Sequence, residues 1–293
     1  MSVAWVAGNI RARALVQRRA RGITRQAATQ RNLADAVRVL ARTPYGHDVR
    51  PGQDLLVAQH AVAATLLWHL RVLAGWLPAR GMAALRVLVG WFEIANVDAL
   101  LFGGPVFEMG GLATAWPTLR NTSDLRVALT TSRWGDPGGN DPRSVQLGMR
   151  ISWARRVAAV SPSARPWAAG ALALLVARER FLEGRAVPAP SADLIGKDSA
   201  RATDLAELSR RLPADAAWAL RDVGGEHDLW AAEERWWARV ERDGVDLLSG
   251  GGYGPAPVLG AVALLAADAR QARAALELAV RGGSAEECDA LAR

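Results

Sequence analysis

Apolar residues recur at helical spacing along nearly the whole chain, and no run of alternating β-branched residues breaks the pattern. Leu33, Val37 and Leu40 share one helix face, with Asn32 placed to cap its start. Val62, Leu66, Leu70, Leu73 and Leu77 keep the same period after Asp54, and Leu85, Val89, Phe92 and Asn96 form the next stripe. Pro44, Pro51, Pro78, Pro105, Pro117, Pro188 and Pro213 fall between these segments. A proline inside a helix costs about 3 kcal/mol, so this placement supports an all-α fold. Asp268 with Gln271, and Ser284 with Glu287, are spaced as capping boxes near the end. Of the 293 residues, 51 % are apolar and 22 % charged, which is enough to bury a core and excludes a disordered chain. Cys288 is the only cysteine, which excludes a disulfide scaffold.

The densest turn signal is WGDPGGNDP, from Trp134 to Pro142. It suggests a first helical region over 1–133, a linker over 134–141 and a second helical region over 142–293. Gly184 to Lys197, with Pro188, Pro190 and Gly196, reads as another loop, and a glycine cluster at Gly250 to Gly254 precedes the last helices. No sequence repeat at a fixed period is visible. Tryptophans such as Trp68, Trp76, Trp91, Trp153, Trp167, Trp218 and Trp230 fall in the helical segments and read as core. Trp236 and Trp237 are adjacent and point about 100° apart on a helix, so at least one should lie near a surface or an interface.

Charge is unevenly placed. Residues 1–34 contain Arg11, Arg13, Arg18, Arg19, Arg21, Arg25 and Arg31 and no acid. The rest of the chain balances 29 bases against 29 acids, so the net charge of +7 resides in that opening segment. Such asymmetry fits an acidic partner, an anionic lipid surface or nucleic acid, or simply a solvated arginine face. The opening has neither the serine content of a transit peptide nor the order of a secretory signal. Trp167 to Ala177 and Pro255 to Ala267 fall short of the roughly 20 residues that span a bilayer, and Ala61 to Leu101 is broken by Arg71, Arg80 and Arg86, so no span is expected.

Signatures of chemistry are missing. His47, His60, His69 and His227 form no HExxH pair, and no second cysteine is available for a zinc site. Gly196-Lys197 lacks the earlier glycine of a phosphate loop, because Ser191 stands there. The GGGYG at 250–254 is not a dinucleotide fingerprint, and no nucleophile elbow occurs. Glu226-His227-Asp228 is sequential and reads as a solvated loop. No catalytic, cofactor-binding or metal-binding residue is assigned, and no cofactor is expected.

Two stretches carry a resemblance. One is WVAGNIRAR from Trp5 to Arg13, followed by LADAVRVLARTPYG from Leu33 to Gly46; the other is WFEIANVDALL from Trp91 to Leu101. Together they resemble the C-type central-stalk protein of the V/A-type rotary ATPases, known as the d-type protein in the eukaryotic vacuolar enzyme. That family opens on an aromatic residue and an Ala-Arg-Val-Arg-like run. A leucine-rich helix ending in Thr-x-Tyr-Gly comes next, and later a Glu-x-x-Asn-Leu helix. Asn9 stands in place of the first arginine, Arg11 keeps the second, and Val97 replaces the leucine after Asn96. The segment from Pro257 to Asp268 is similar to the family's last helices.

The resemblance implies helical modules, three pseudo-repeats, arranged around a funnel or socket. It implies a non-catalytic central-stalk subunit joining the rotor shaft to the membrane proteolipid ring in proton or sodium-ion transport, peripheral on the cytoplasmic face. Trp5, Arg11, Tyr45, Glu93 and Asn96 would then be structural, with Glu93 and Asn96 bonded to a neighbouring loop or to Arg86. Arg18, Arg19, Arg21 and Arg25 would face another rotor protein or anionic lipid. The alternatives are a basic all-helical nucleic-acid-binding or scaffold protein, whose affinity would fall steeply with salt, and an enzyme with an unrecognised pocket.

Overall fold

The computed structural model describes residues 3–20 and 22–282, and no strand occurs among them. The helices are α1 (Val6–Gln17), α2 (Ile23–Ala28), α3 (Leu33–Leu40), α4 (Leu55–Ala74), α5 (Ala79–Leu88), α6 (Gly90–Phe102), α7 (Trp116–Leu119) and α8 (Leu125–Thr130). They continue as α9 (Pro142–Val160), α10 (Arg165–Ala177), α11 (Ala192–Ile195), α12 (Leu205–Arg211), α13 (Ala214–Ala217), α14 (Leu229–Ser249) and α15 (Pro255–Val280). Asn32 caps α3 by accepting the Asp35 N–H, as its position predicts, and Asp54 does the same for Val57 at the start of α4. The Leu85–Asn96 stripe is broken between α5 and α6, where Val89 precedes the second helix.

The chain folds as two compact units, 1–85 with 237–293 and 86–236. This division differs from a split at the WGDPGGNDP turns. Trp134 and Asp136 are tied into the second unit, through Glu93 and through an Arg126–Asp136 pair at 3.0 Å. The first unit is discontinuous because α15 returns to pack on α1, α2, α3 and α4. Turn density along a sequence cannot register a terminal helix closing an N-terminal core.

In the first unit, Val37, Leu40, Tyr45, Val49, Val62, Ala272 and Leu276 form one buried cluster. Gly244 on α14 and Gly260 on α15 let two helix backbones meet. A Cβ at 260 would lie 2.5 Å from the Gly244 carbonyl oxygen, a distance no side chain tolerates. The helix α4 is, by length and composition, apolar enough to cross a membrane, contrary to the expectation that no segment is. It starts at Leu55, ahead of the apolar run that begins at Ala61. Here Val62, Leu67, Leu70 and Leu73 are buried, as in a core helix. In the second unit, Ile94, Val97, Trp116, Leu119, Leu129, Trp134, Val145 and Met149 form the cluster on which α6 meets α9.

One spacing, or register, recurs among these elements. Three of the four longest helices, α4, α9 and α14, each follow an aspartate, at positions 54, 141 and 228, which are 87 residues apart, whereas the longest, α15, follows Gly254. Asp141 accepts the Ser144 N–H as Asp54 accepts that of Val57, whereas Asp228 accepts the Gly224 N–H. The buried carboxylates among the described residues are Glu93, Glu179 and Asp268, which follow those aspartates by 39, 38 and 40 residues. Little residue identity accompanies the register, which is why it is invisible as a repeat.

Candidate functional site: buried anchors and an arginine-bearing face

Glu93 is the most heavily used side chain of the second unit. Its Oε1 accepts the backbone N–H groups of Thr114 and Ala115 at 2.9 and 3.2 Å. Its Oε2 accepts the Trp134 indole N–H and the Arg133 guanidinium, both at 2.9 Å. One turn along α6, Asn96 closes the next loop by accepting the Phe107 N–H at 2.6 Å and donating to its carbonyl at 2.9 Å. The expected loop bonding of this pair is therefore present, while Arg86 donates to Gly111 of the same connection. Trp134, hidden in a turn cluster by sequence, is buried with the Arg133 and Arg156 guanidinia over its ring at 5.7 and 5.1 Å. Burial, then the neighbouring Arg133, pulls the Arg156 pKa down to about 10, against the opposing pull of Glu93.

The first unit uses the same device differently. Asp268 lies mid-way along α15 and is buried, so it does not cap a helix with Gln271 as its spacing suggests. Its Oδ2 accepts the Tyr45 hydroxyl at 2.8 Å and the Ala20 N–H at 3.2 Å. The capping reading fails because the apolar stretch before it continues the helix rather than ending one. Burial raises the Asp268 pKa, against its hydrogen bonds from Tyr45 and Ala20. Burial, then the facing Asp268, raises that of Tyr45 well above the ordinary phenol value. Asn9, standing where the resemblance places an arginine, donates to the carbonyls of Trp5 and Gly254 at 2.8 and 3.0 Å, pinning the start of α1 to the start of α15. Trp5 packs over Gly81, and Arg11 is half-buried. Glu179, the buried carboxylate that follows Asp141, lies in a π-helical turn after α10, paired with Arg143.

The four arginines expected to face a partner separate. Arg18 and Arg25 are exposed. Arg19 is not: its side chain is 5 % exposed and bonded to Glu241 at 3.1 Å and to the Leu264 carbonyl at 3.4 Å. A cation at the end of α1, where the chain turns inward, finds a carboxylate on α14 and is held in the fold. Arg21 lies outside the described residues, as do Ser284 and Glu287. Beside α1, Ile10, Arg13, Ala14, Gln17, Gly251 and Tyr253 line a shallow cavity of about 340 Å³. Arg13 crosses its edge, donating to the Gly250 carbonyl at 3.0 Å with its guanidinium 5.8 Å from the Tyr253 ring centre.

No protein-family model and no curated protein matches this chain. Among the described residues, no three His, Cys, Asp or Glu side chains group closely enough to hold a metal ion. His69 is buried on α4, and burial, then Arg18, His47 and Arg11, lowers its pKa to about 4, against the pull of Asp48. His47 stacks on Trp68 at 4.2 Å and bonds to Asp48 at 2.8 Å. Glu226, His227 and Asp228 are exposed in a short 3₁₀ turn. Trp116, Trp134 and Trp167 are core, but Trp76, Trp91 and Trp230 are exposed, and Trp236 and Trp237 are half-buried. The arrangement offers rigid loop anchors and an arginine-bearing face.

Proposed function

We propose that this chain is the central-stalk coupling subunit of a V/A-type rotary ATPase, seating the rotor shaft on the membrane proteolipid ring and passing torque without chemistry of its own. The observation that carries the reading is the recurrence of an aspartate before a long helix every 87 residues, at 54, 141 and 228, with a buried carboxylate 38 to 40 residues after each, at 93, 179 and 268. A protein made of three similar helical modules around a socket would need a register of this kind. The stretches that resemble the family also supply anchors of the fold: Glu93 and Asn96 in the second unit and Tyr45 in the first. Arginine-rich faces suit docking, since electrostatic complementarity fixes partner choice and register. In this reading the protein lies on the cytoplasmic face of the membrane complex, and three-module closure around a funnel is part of the proposal.

The test is co-expression with the shaft proteins and proteolipid ring of the same source, followed by affinity purification. The expected result is a stoichiometric complex that couples ATP hydrolysis to ion movement only when this chain is present. A ring and shaft that assemble and couple without it would overturn the reading. Tight binding to duplex or single-stranded nucleic acid that falls steeply with salt would favour the nucleic-acid alternative instead.

A further inference from the structure

The helix α1 buries one face and leaves the other open. Gly8, Asn9, Ala12, Leu15 and Val16 point into the first unit. On the opposite side, Ala7, Ile10, Ala14 and Gln17 follow one another at intervals of three and four residues, with Val3 one step earlier in the preceding 3₁₀ turn. Within α1 this is the seam spacing of a coiled coil over about one and a half heptads, about 15 Å at 1.5 Å per residue. Val3 is 86 % exposed and Ile10 57 %, large values for apolar side chains. Ala14 is half-exposed, and its small side chain leaves the hollow of the 340 Å³ cavity at the middle of the seam.

The flanks carry charge of one sign. With Ala7 and Ala14 as a positions and Ile10 and Gln17 as d positions, Arg13 takes a g position and Arg11 and Arg18 take e positions. These positions set partner choice in helix pairs, and no acid lies within residues 1–34 to answer them from the same segment. We propose that this face of α1 docks an amphipathic helix of a partner protein, with small or apolar residues on its seam and acidic residues at its e and g positions. The inference goes beyond the rotary reading and stands without it. A second copy of this chain is a poor occupant, because pairing two such faces sets arginine against arginine. An anionic membrane is a poor one as well. The stripe is narrow, interrupted by two alanines and a glutamine, whereas interfacial helices bury a broad face of bulky residues.

The experiment uses the full chain and two labelled synthetic helices of three heptads with leucine and alanine on the seam, one with glutamate and one with lysine at e and g. Fluorescence anisotropy should show the glutamate helix binding, weakening by about tenfold or more as salt is raised from low to physiological strength. Ile10→Asp should remove that binding while circular dichroism stays unchanged, since the site is exposed. The double reversal Arg13→Glu with Arg18→Glu should exchange preference toward the lysine helix. Equal binding of both helices, binding unaffected by Ile10→Asp, no binding of the glutamate helix at low salt, or capture of the chain only by phosphatidylglycerol vesicles would each overturn the proposal.

Discussion

The two units gather their loops with the same device, a carboxylate on a helix, but they compensate it in opposite ways. In the second unit Glu93 meets Arg133 and two backbone N–H groups, Asp98 meets Arg150 at 2.8 Å, and Glu179 meets Arg143. In the first unit Asp268 is answered by a phenol and one amide, and His69 is buried, with Arg18 and Arg11 acting against its protonation and Asp48 for it. Groups answered by dipoles pay for burial as a shifted pKa, so their stability depends on pH. Through His69 the first unit should therefore respond to mild acid.

The sharpest way to break this comparison is Glu93→Ala. It strips Arg133 of its partner and leaves Trp134 and two amides unanswered, and losing one partner of a buried pair costs about 3–5 kcal/mol. Urea unfolding followed by tryptophan fluorescence should show that loss; a fall within about 0.5 kcal/mol, the range of ordinary surface substitutions, would show that the guanidinium pairing is not what holds the second unit.

A smaller effect comes from His69. The unfolded imidazole takes its proton near 6.5, the folded one only near 4, so stability should be full above 6.5 and fall as pH drops toward 4. The slope for one proton is at most about 1.4 kcal/mol per pH unit. His69→Gln should flatten it, and an unchanged pH profile would refute the assignment.

Asp268 has the opposite sign. Its folded pKa is raised, so its contribution is present below the unfolded carboxylate value and is lost as pH rises through the folded one. Asp268→Asn keeps an oxygen for Tyr45 and Ala20 and removes the buried charge. At neutral pH it should leave stability unchanged or raise it by about 1 kcal/mol, where Glu93→Gln lowers it. A large loss for Asp268→Asn would mean that the carboxylate charge itself is needed.

The smallest and most symmetrical test compares Asp54→Ala with Asp141→Ala. Each removes an N-cap from a long helix, at positions one register apart, and each should cost about 1 kcal/mol. Clearly unequal losses would mean that the two positions do not play equivalent parts in their units.

Much of the local structure is legible in the sequence. Asn32 and Asp54 announce their helices because a cap is satisfied three residues away, within reach of a spacing rule. The bonding of Glu93 and Asn96 to loops is legible too, although their partners are not: Thr114, Trp134 and Phe107 lie 11 to 41 residues distant, and nothing in WGDPGGNDP marks its tryptophan as a donor. Arg19 and Asp268 are misread for the same reason. A basic run looks solvated and a DxxQ spacing looks like a cap until the packing brings Glu241 to one and Tyr45 to the other.

Helix content and the sign of the opening charge follow from the amino-acid order alone, because each depends on residues within a turn or two of one another. Which carboxylate is buried and which arginine stays in water were decided by tertiary packing. Burial and its charge compensation arise between residues far apart along the chain, and only the folded core brings them within a hydrogen bond of each other.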